Sequence, residues 1–227
     1  MPQTTDHQEQ HAQMTNSYLT SFVTLVRRIA VSDVLTLIRY LETALHEDRH
    51  IYVIGNGGSA ATASHFACDL GKLAYPGGNG KEGRRFRITS LTDNMAWISA
   101  VANDIDFRLV FSEQIRNVMR PGDLLIAISV SGQSGDILDA IRATKQVGAT
   151  AIAILGCNGG IAKELADASL VVPSNDFGLV ESIHLMLVHL ATATFATVSD
   201  PETAWTDNNN DTTGEFPLFA GAQVLRG

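Results

Sequence analysis

Two groups of residues have the type and spacing for proton or metal chemistry. His65 and Asp69 stand four apart within Ala60–Leu70, a stretch of helix formers, so they share one helix face. An imidazole and a carboxylate so placed can ligate one metal ion, work as an acid/base pair, or form an exposed ion pair. Glu181, His184 and His189 interrupt an apolar stretch running from Val180 to Leu190. Polar groups inside such a helix need partners. Each histidine is therefore a ligand or a satisfied core or interface residue. Glu181 and His189 are eight residues apart, or about 12 Å along a straight helix. That is the limit for two side chains of one helix gripping one ion, and a bend or a subunit boundary would help.

Two loops have the makings of an anion or sugar site. Gly55-Asn56-Gly57-Gly58-Ser59 follows the apolar run Ile51–Ile54 and opens the helix that carries His65. Strand, glycine loop and helix together point unpaired backbone N–H groups at a ligand. Ser59 is an N-cap candidate. The loop matches neither the dinucleotide fingerprint nor the P-loop, so it reads as a phosphate or sugar-phosphate loop, or as a plain turn. The second loop, Ser129-Val130-Ser131-Gly132-Gln133-Ser134, ends the apolar run Leu124–Ile128. Its three hydroxyls and its helix N-terminus suit a phosphate dianion or a sugar polyol.

These groups must be positioned by the rest of the chain. Residues 1–13 are polar and read as a flexible terminus. Apolar spacing then predicts a helix from Met14 to Ile29 and a second one capped by Ser32-Asp33. After the glycine loop and its helix, Tyr75–Arg85 is Gly-rich and charged and reads as an exposed loop. Arg87–Leu91 reads as a strand, followed by a helix capped by Asp93 and running to about Ala102. Asn103-Asp104 interrupts the pattern, which resumes as helix from Phe107 to Met119. Further strands are expected at 124–128, 150–155 and 170–172, with helices at 136–147, 160–166 and 180–198 and a stop at Gly148. Alternating strands and helices make a parallel sheet between helical layers, an α/β fold. Ligands gather at the carboxyl ends of such strands, where both loops fall. The tail, 199–227, contains Asp207–Asp211 and reads as partly disordered.

The chain has 227 residues, 45% hydrophobic, enough for one domain with a real core. Its formal net charge of −8 disfavours nucleic acid as a partner, although backbone amides can still bind a single phosphate. Cys68 and Cys157 are its only cysteines, which suggests a reducing, cytoplasmic setting. No uninterrupted apolar run approaches the ~20 residues of a membrane span.

The segments GNGGSAATASHFACDL, ANDIDF, RPGDLLIAISVSGQS, GCNGG and VPSNDFGLVESIHLMLVHL together carry a family resemblance. Over roughly residues 14–198 the sequence resembles the SIS (sugar isomerase) domain family, and within it the phosphoheptose isomerases. The resemblance implies a three-layer α/β/α sandwich with a five-stranded parallel sheet and N-terminal helices. It implies homotetramers with interface active sites. The implied reaction is aldose–ketose isomerisation of sedoheptulose 7-phosphate to D-glycero-D-manno-heptose 7-phosphate. By that resemblance Asn56, Gly57, Gly58, Asn103, Asp104 and Glu181 contact substrate. Ser129, Val130, Ser131 and Ser134 hold the phosphate. His65, Asp69, Glu181 and His189 hold zinc, and Asp69, His189 and Glu181 carry the catalysis.

Three positions depart from the family pattern. Asp69 stands where Glu is usual, which shortens the expected base by one methylene. Glu181 stands where Gln is usual, which adds a negative charge that could tighten a metal or supply a base. Val130 replaces a Thr, losing a hydroxyl but keeping its amide. The competing readings are a non-catalytic SIS adaptor of the replication-initiator-associating type, a sugar-phosphate sensor, or an isomerase of another ketose phosphate.

Overall fold

The apolar runs become the strands of one sheet in a computed structural model, which describes residues 3–75 and 84–199. β1 (His50–Gly55), β4 (Arg87–Ser90), β5 (Leu124–Ser129), β6 (Thr150–Leu155) and β7 (Ala168–Val171) pair in the order β4-β1-β5-β6-β7, all parallel. Side chains alternate between two cores. Ile51, Val53, Ile126 and Ile128 pack with Phe66, Leu70, Val180 and Leu187 on one face. Tyr52, Ile54, Leu125 and Ala127 pack with Ile115, Ile137 and Ile141 on the other. Covering both faces is what makes parallel strands read as unbroken apolar runs. The expected three-layer sandwich is the observed fold.

The topology fixes where a ligand can sit. From β1 the chain crosses outward to β4, and from β5 it crosses the opposite way to β6. Gly55 pairs with Ile128, so the two candidate loops leave neighbouring strands at this reversal. Such a switch point opens a crevice at the carboxyl edge of a parallel sheet.

Several element ends differ from expectation. α1 (Gln3–Val26) begins well before Met14, because its polar N-terminal residues are adequate helix formers with no breaker among them. α2 (Val31–His46) has Ala30 at its cap and no side-chain cap bond; Ser32 Oγ engages Asp33 instead. α3 (Gly58–Gly71) has Gly57 at its cap with φ 54°, which leaves Ser59 buried in the first turn rather than capping it. α4 (Met95–Asp104) is capped by Asn94, which accepts from the Trp97 N–H, and it runs through Asn103-Asp104. The helix expected from Phe107 to Met119 divides into a 3-10 turn, Phe107–Leu109, and α5 (Ser112–Val118). α6 (Gly135–Val147) stops at Gly148 with φ 82°, and α7 (Gly160–Leu165) follows β6. β2 (Ala74–Tyr75) and β3 (Arg84–Arg85) form a small antiparallel ribbon. The centre of the expected loop, 76–83, and the tail from 200 lie outside the described residues.

α8 (Phe177–Ser199) also departs from the sequence reading. Its stretch Phe177–Ala196 is long and apolar enough to cross a membrane by length and composition. Here it is a core helix, with Val180, Ile183, Leu187, Val188, Ala191 and Phe195 buried. His184 is buried among them at 0% exposure, and neither ring nitrogen makes a hydrogen bond. Burial pushes its pKa down to about 4, with the Leu155 carbonyl opposing the shift. A folded-state pKa below the ordinary 6.5 means that the unfolded chain takes up the proton first. Stability is therefore fully present above pH 6.5 and falls as pH drops from 6.5 through about 4. By pH 4 the loss from this group reaches about 3 kcal/mol at most. Urea unfolding between pH 7 and pH 4 should show this slope, and His184→Leu should flatten it without costing stability at pH 7.

Candidate active site

α3 lies along α8 in the core that both share. At one end Gly58 faces Glu181: a Cβ on Gly58 would collide with that carboxylate. At the other end His65 faces His189, Nε2 to Nε2 at 2.8 Å. Both contact points advance in the same chain direction, so the helices run parallel and touch at two places about 10 to 12 Å apart.

The second contact is a cluster of ligand atoms supplied by one chain. Asp69 Oδ2 is 3.0 Å from His65 Nε2 and 3.9 Å from His189 Nε2. The three donor atoms lie within 4.8 Å of one another. Two neutral imidazoles facing through Nε2 share a single hydrogen, so one must present its lone pair. A divalent cation in place of that hydrogen would receive both lone pairs and a carboxylate, the usual three-residue set of an open zinc site. The donor chemistry fits a metal. Lys72 Nζ holds the other oxygen, Asp69 Oδ1, at 2.5 Å. That bond lowers the Asp69 pKa; partial burial opposes it and His65 reinforces it. Asp69 is therefore a firmly ionised carboxylate.

Glu181 is not brought to the other three expected ligands. Eight residues before His189, it ends over Gly58 at the start of α3. The helical rise separates the two positions along α8, which is one continuous helix across this span.

The serine loop keeps its shape with its own hydroxyls. Ser129 Oγ accepts the Gly132 N–H at 3.1 Å, and Ser131 Oγ accepts the Gln133 N–H at 3.2 Å. Those two amides are thus occupied, while each hydroxyl still has a hydrogen to donate. Ser134 stands at the α6 N-cap and makes no side-chain cap bond. Val130 turns its side chain into the core beside Gly156 and Val180, so only its backbone is available to a ligand. Gly132 has φ 62°, and a Cβ there would strike the Gly159 carbonyl. Gly132→Ala should cost about 2 kcal/mol or more. It should also weaken thermal-shift protection by inorganic phosphate; an unchanged melting temperature and unchanged protection would contradict this packing.

Of the other groups around the crevice, Asn56, Asn103 and Asp104 were expected from the sequence, whereas Asp136, Ser64, Thr92 and Arg108 were not legible as site residues. Asn56 Nδ2 donates to Asp136 Oδ2 at 2.7 Å, joining the glycine loop to the first turn of α6. Burial raises the Asp136 pKa, with the Asn56 bond opposing. Ser64, beside His65, donates to Asp93 and meets Thr92 Oγ1 at 3.2 Å. Arg108 packs on Gly135 and pairs with Asp139 at 2.8 Å, which also pairs with Arg142. Asn103 and Asp104 are exposed at the end of α4 and bond to each other at 2.7 Å.

The fold and this site define a sugar isomerase domain. A family model, SIS domain, matches residues 17–156, and the chain belongs to that family. The chain is 40% identical over 147 residues to the phosphoheptose isomerase of a Bradyrhizobium species, covering 65% of this chain and 72% of that one. It is 38% identical over 148 residues to the phosphoheptose isomerase of a Nitratiruptor species, covering 65% and 76%. The solved phosphoheptose isomerase of Neisseria gonorrhoeae superposes with a TM-score of 0.74 at 27% identity, over 84% of this chain and 99% of that one.

Proposed function

We propose that the protein is an aldose–ketose isomerase that converts sedoheptulose 7-phosphate to D-glycero-D-manno-heptose 7-phosphate. The observation that carries this reading is the convergence of His189 from α8 with His65 and Asp69 of the helix that opens at the switch-point crevice. The relatives named phosphoheptose isomerase support it. Incubation with sedoheptulose 7-phosphate and identification of the product tests it. The heptose phosphate supports the reading. Tight binding without turnover would favour a sugar-phosphate sensor or adaptor. Turnover of a pentulose or hexulose phosphate alone would move the substrate class.

In this reading the substrate phosphate docks at Ser129–Ser134, held by hydroxyl donation and the α6 N-terminus, with Val130 contributing through its amide. Asn56, Gly57 and Gly58 face the sugar body. Asp69, ionised at neutral pH, removes the proton from C1 of the ketose. His189 or the same carboxylate returns a proton at C2. His65, Asp69 and His189 would hold zinc, which supplies Lewis-acid stabilisation of an enediolate oxygen when bound. Glu181, over Gly58, belongs to the substrate side of the site and can serve as the base if Asp69 falls short. Asn103 and Asp104 join a site completed by another subunit. The exposed apolar side chains Met14, Tyr18 and Leu19 on α1 support a homo-oligomer, which we take to be a tetramer. Two unpaired thiols, Cys68 and Cys157, accord with the cytoplasm.

Asp69→Asn and His189→Gln should each lower kcat by about 100-fold or more while leaving the fold intact by circular dichroism. Zinc content by elemental analysis should fall from one per chain to near zero in His65→Ala. It should persist in Glu181→Gln, whose side chain lies away from the three donors. Zinc loss in Glu181→Gln would instead restore a four-residue ligand set.

A further inference from the structure

Asp136 is a buried carboxylate that the proposed chemistry leaves unused. It is 3% exposed, in the first turn of α6, directly after the serine loop. Its Oδ2 accepts from Asn56 Nδ2 at 2.7 Å across the switch point between β1 and β5. The bond therefore ties the loop that faces the sugar body to the loop that faces the phosphate.

The chemistry of this bond fixes the polarity of Asn56. An ionised carboxylate only accepts, so the amide nitrogen of Asn56 must turn towards it. The amide oxygen is then left to face the opposite way. An asparagine without this partner can rotate and offer either end to a ligand. Asp136 removes that choice, and its burial stops water from competing for the bond.

We propose that Asp136 is a positioning residue that sets Asn56 as a hydrogen-bond acceptor, so that the glycine loop recognises a sugar hydroxyl rather than a carbonyl or phosphate oxygen. This rests on Asn56 contacting the substrate, as in the function proposed above. Asp136 need not touch the substrate: it acts through the amide. It also fixes the distance between the two loops, and so the length of chain between the phosphate and the hydroxyl that Asn56 reads.

A double-mutant cycle on sedoheptulose 7-phosphate turnover tests this. Asn56→Ala and Asp136→Ala should each reduce kcat/KM by about 10- to 100-fold, the worth of one hydrogen bond to a charged group. The Asn56→Ala/Asp136→Ala double variant should be no slower than Asn56→Ala alone, because Asp136 has nothing left to position. A reversed pair separates polarity from packing. Asn56→Asp alone sets two carboxylates face to face and should lose activity. Adding Asp136→Asn restores the bond with donor and acceptor exchanged, keeps an acceptor at 56, and should recover at least tenfold of the loss. Additive losses in the cycle, or no recovery in the reversed pair, would overturn the proposal. Full activity in Asn56→Ala would instead remove Asn56 from the substrate site. Thermal melts of each variant show whether the losses follow folding.

Discussion

The parallel packing of α3 on α8 is the constraint on which the site depends. Two helices from opposite ends of the domain share one core, with Phe66 and Leu70 on α3 and Val180, Ile183 and Leu187 on α8 buried together. Their common direction puts like-spaced residues side by side. It brings His65 and Asp69 to His189, and Gly58 to Glu181. The absence of a side chain at Gly58 is part of the arrangement, since a methyl there would push the Glu181 carboxylate aside. Packing of apolar surface thus places the polar groups, which contribute little to holding the helices together at the exposures of His65 and His189, 43% and 53%.

A second constraint is the reversal of strand order between β1 and β5. In the proposed function it is what would let an acidic chain hold an anion. Net charge sets the far field, but a phosphate at a helix N-terminus responds to local amides and hydroxyls. The serine loop supplies them at the start of α6. Asp136 is the apparent anomaly, a carboxylate in the same turn. Its bond to Asn56 accounts for its presence there, since the carboxylate is buried and engaged by the amide nitrogen across the switch point.

Much of this was legible in the sequence. Each unbroken apolar run became a strand of the parallel sheet, and the two loops fell at its carboxyl edge. The four-residue spacing of His65 and Asp69 told their shared helix face. What escaped was what depends on three dimensions. Asp136 was read only as the start of a helix, because its partner Asn56 is 80 residues away. The 12 Å reach between Glu181 and His189 flagged a difficulty that the structure answers by splitting the two between separate contacts with α3. Cap residues were misread by two positions at Ser59 and by one at Asp93, where backbone geometry at Gly57 and the neighbouring Asn94 took the role. Hydroxyl-rich Ser129 and Ser131 spend acceptor capacity on their own loop, which composition alone does not disclose.

In the proposed function Asp69 and its cluster move a proton between adjacent carbons of a ketose phosphate. The most direct measurement is turnover of sedoheptulose 7-phosphate in deuterium oxide, with the product read by proton NMR. The account predicts deuterium at C2 of the heptose phosphate, and its loss together with turnover in Asp69→Asn. Turnover and label appearing undiminished in Asp69→Asn would contradict it.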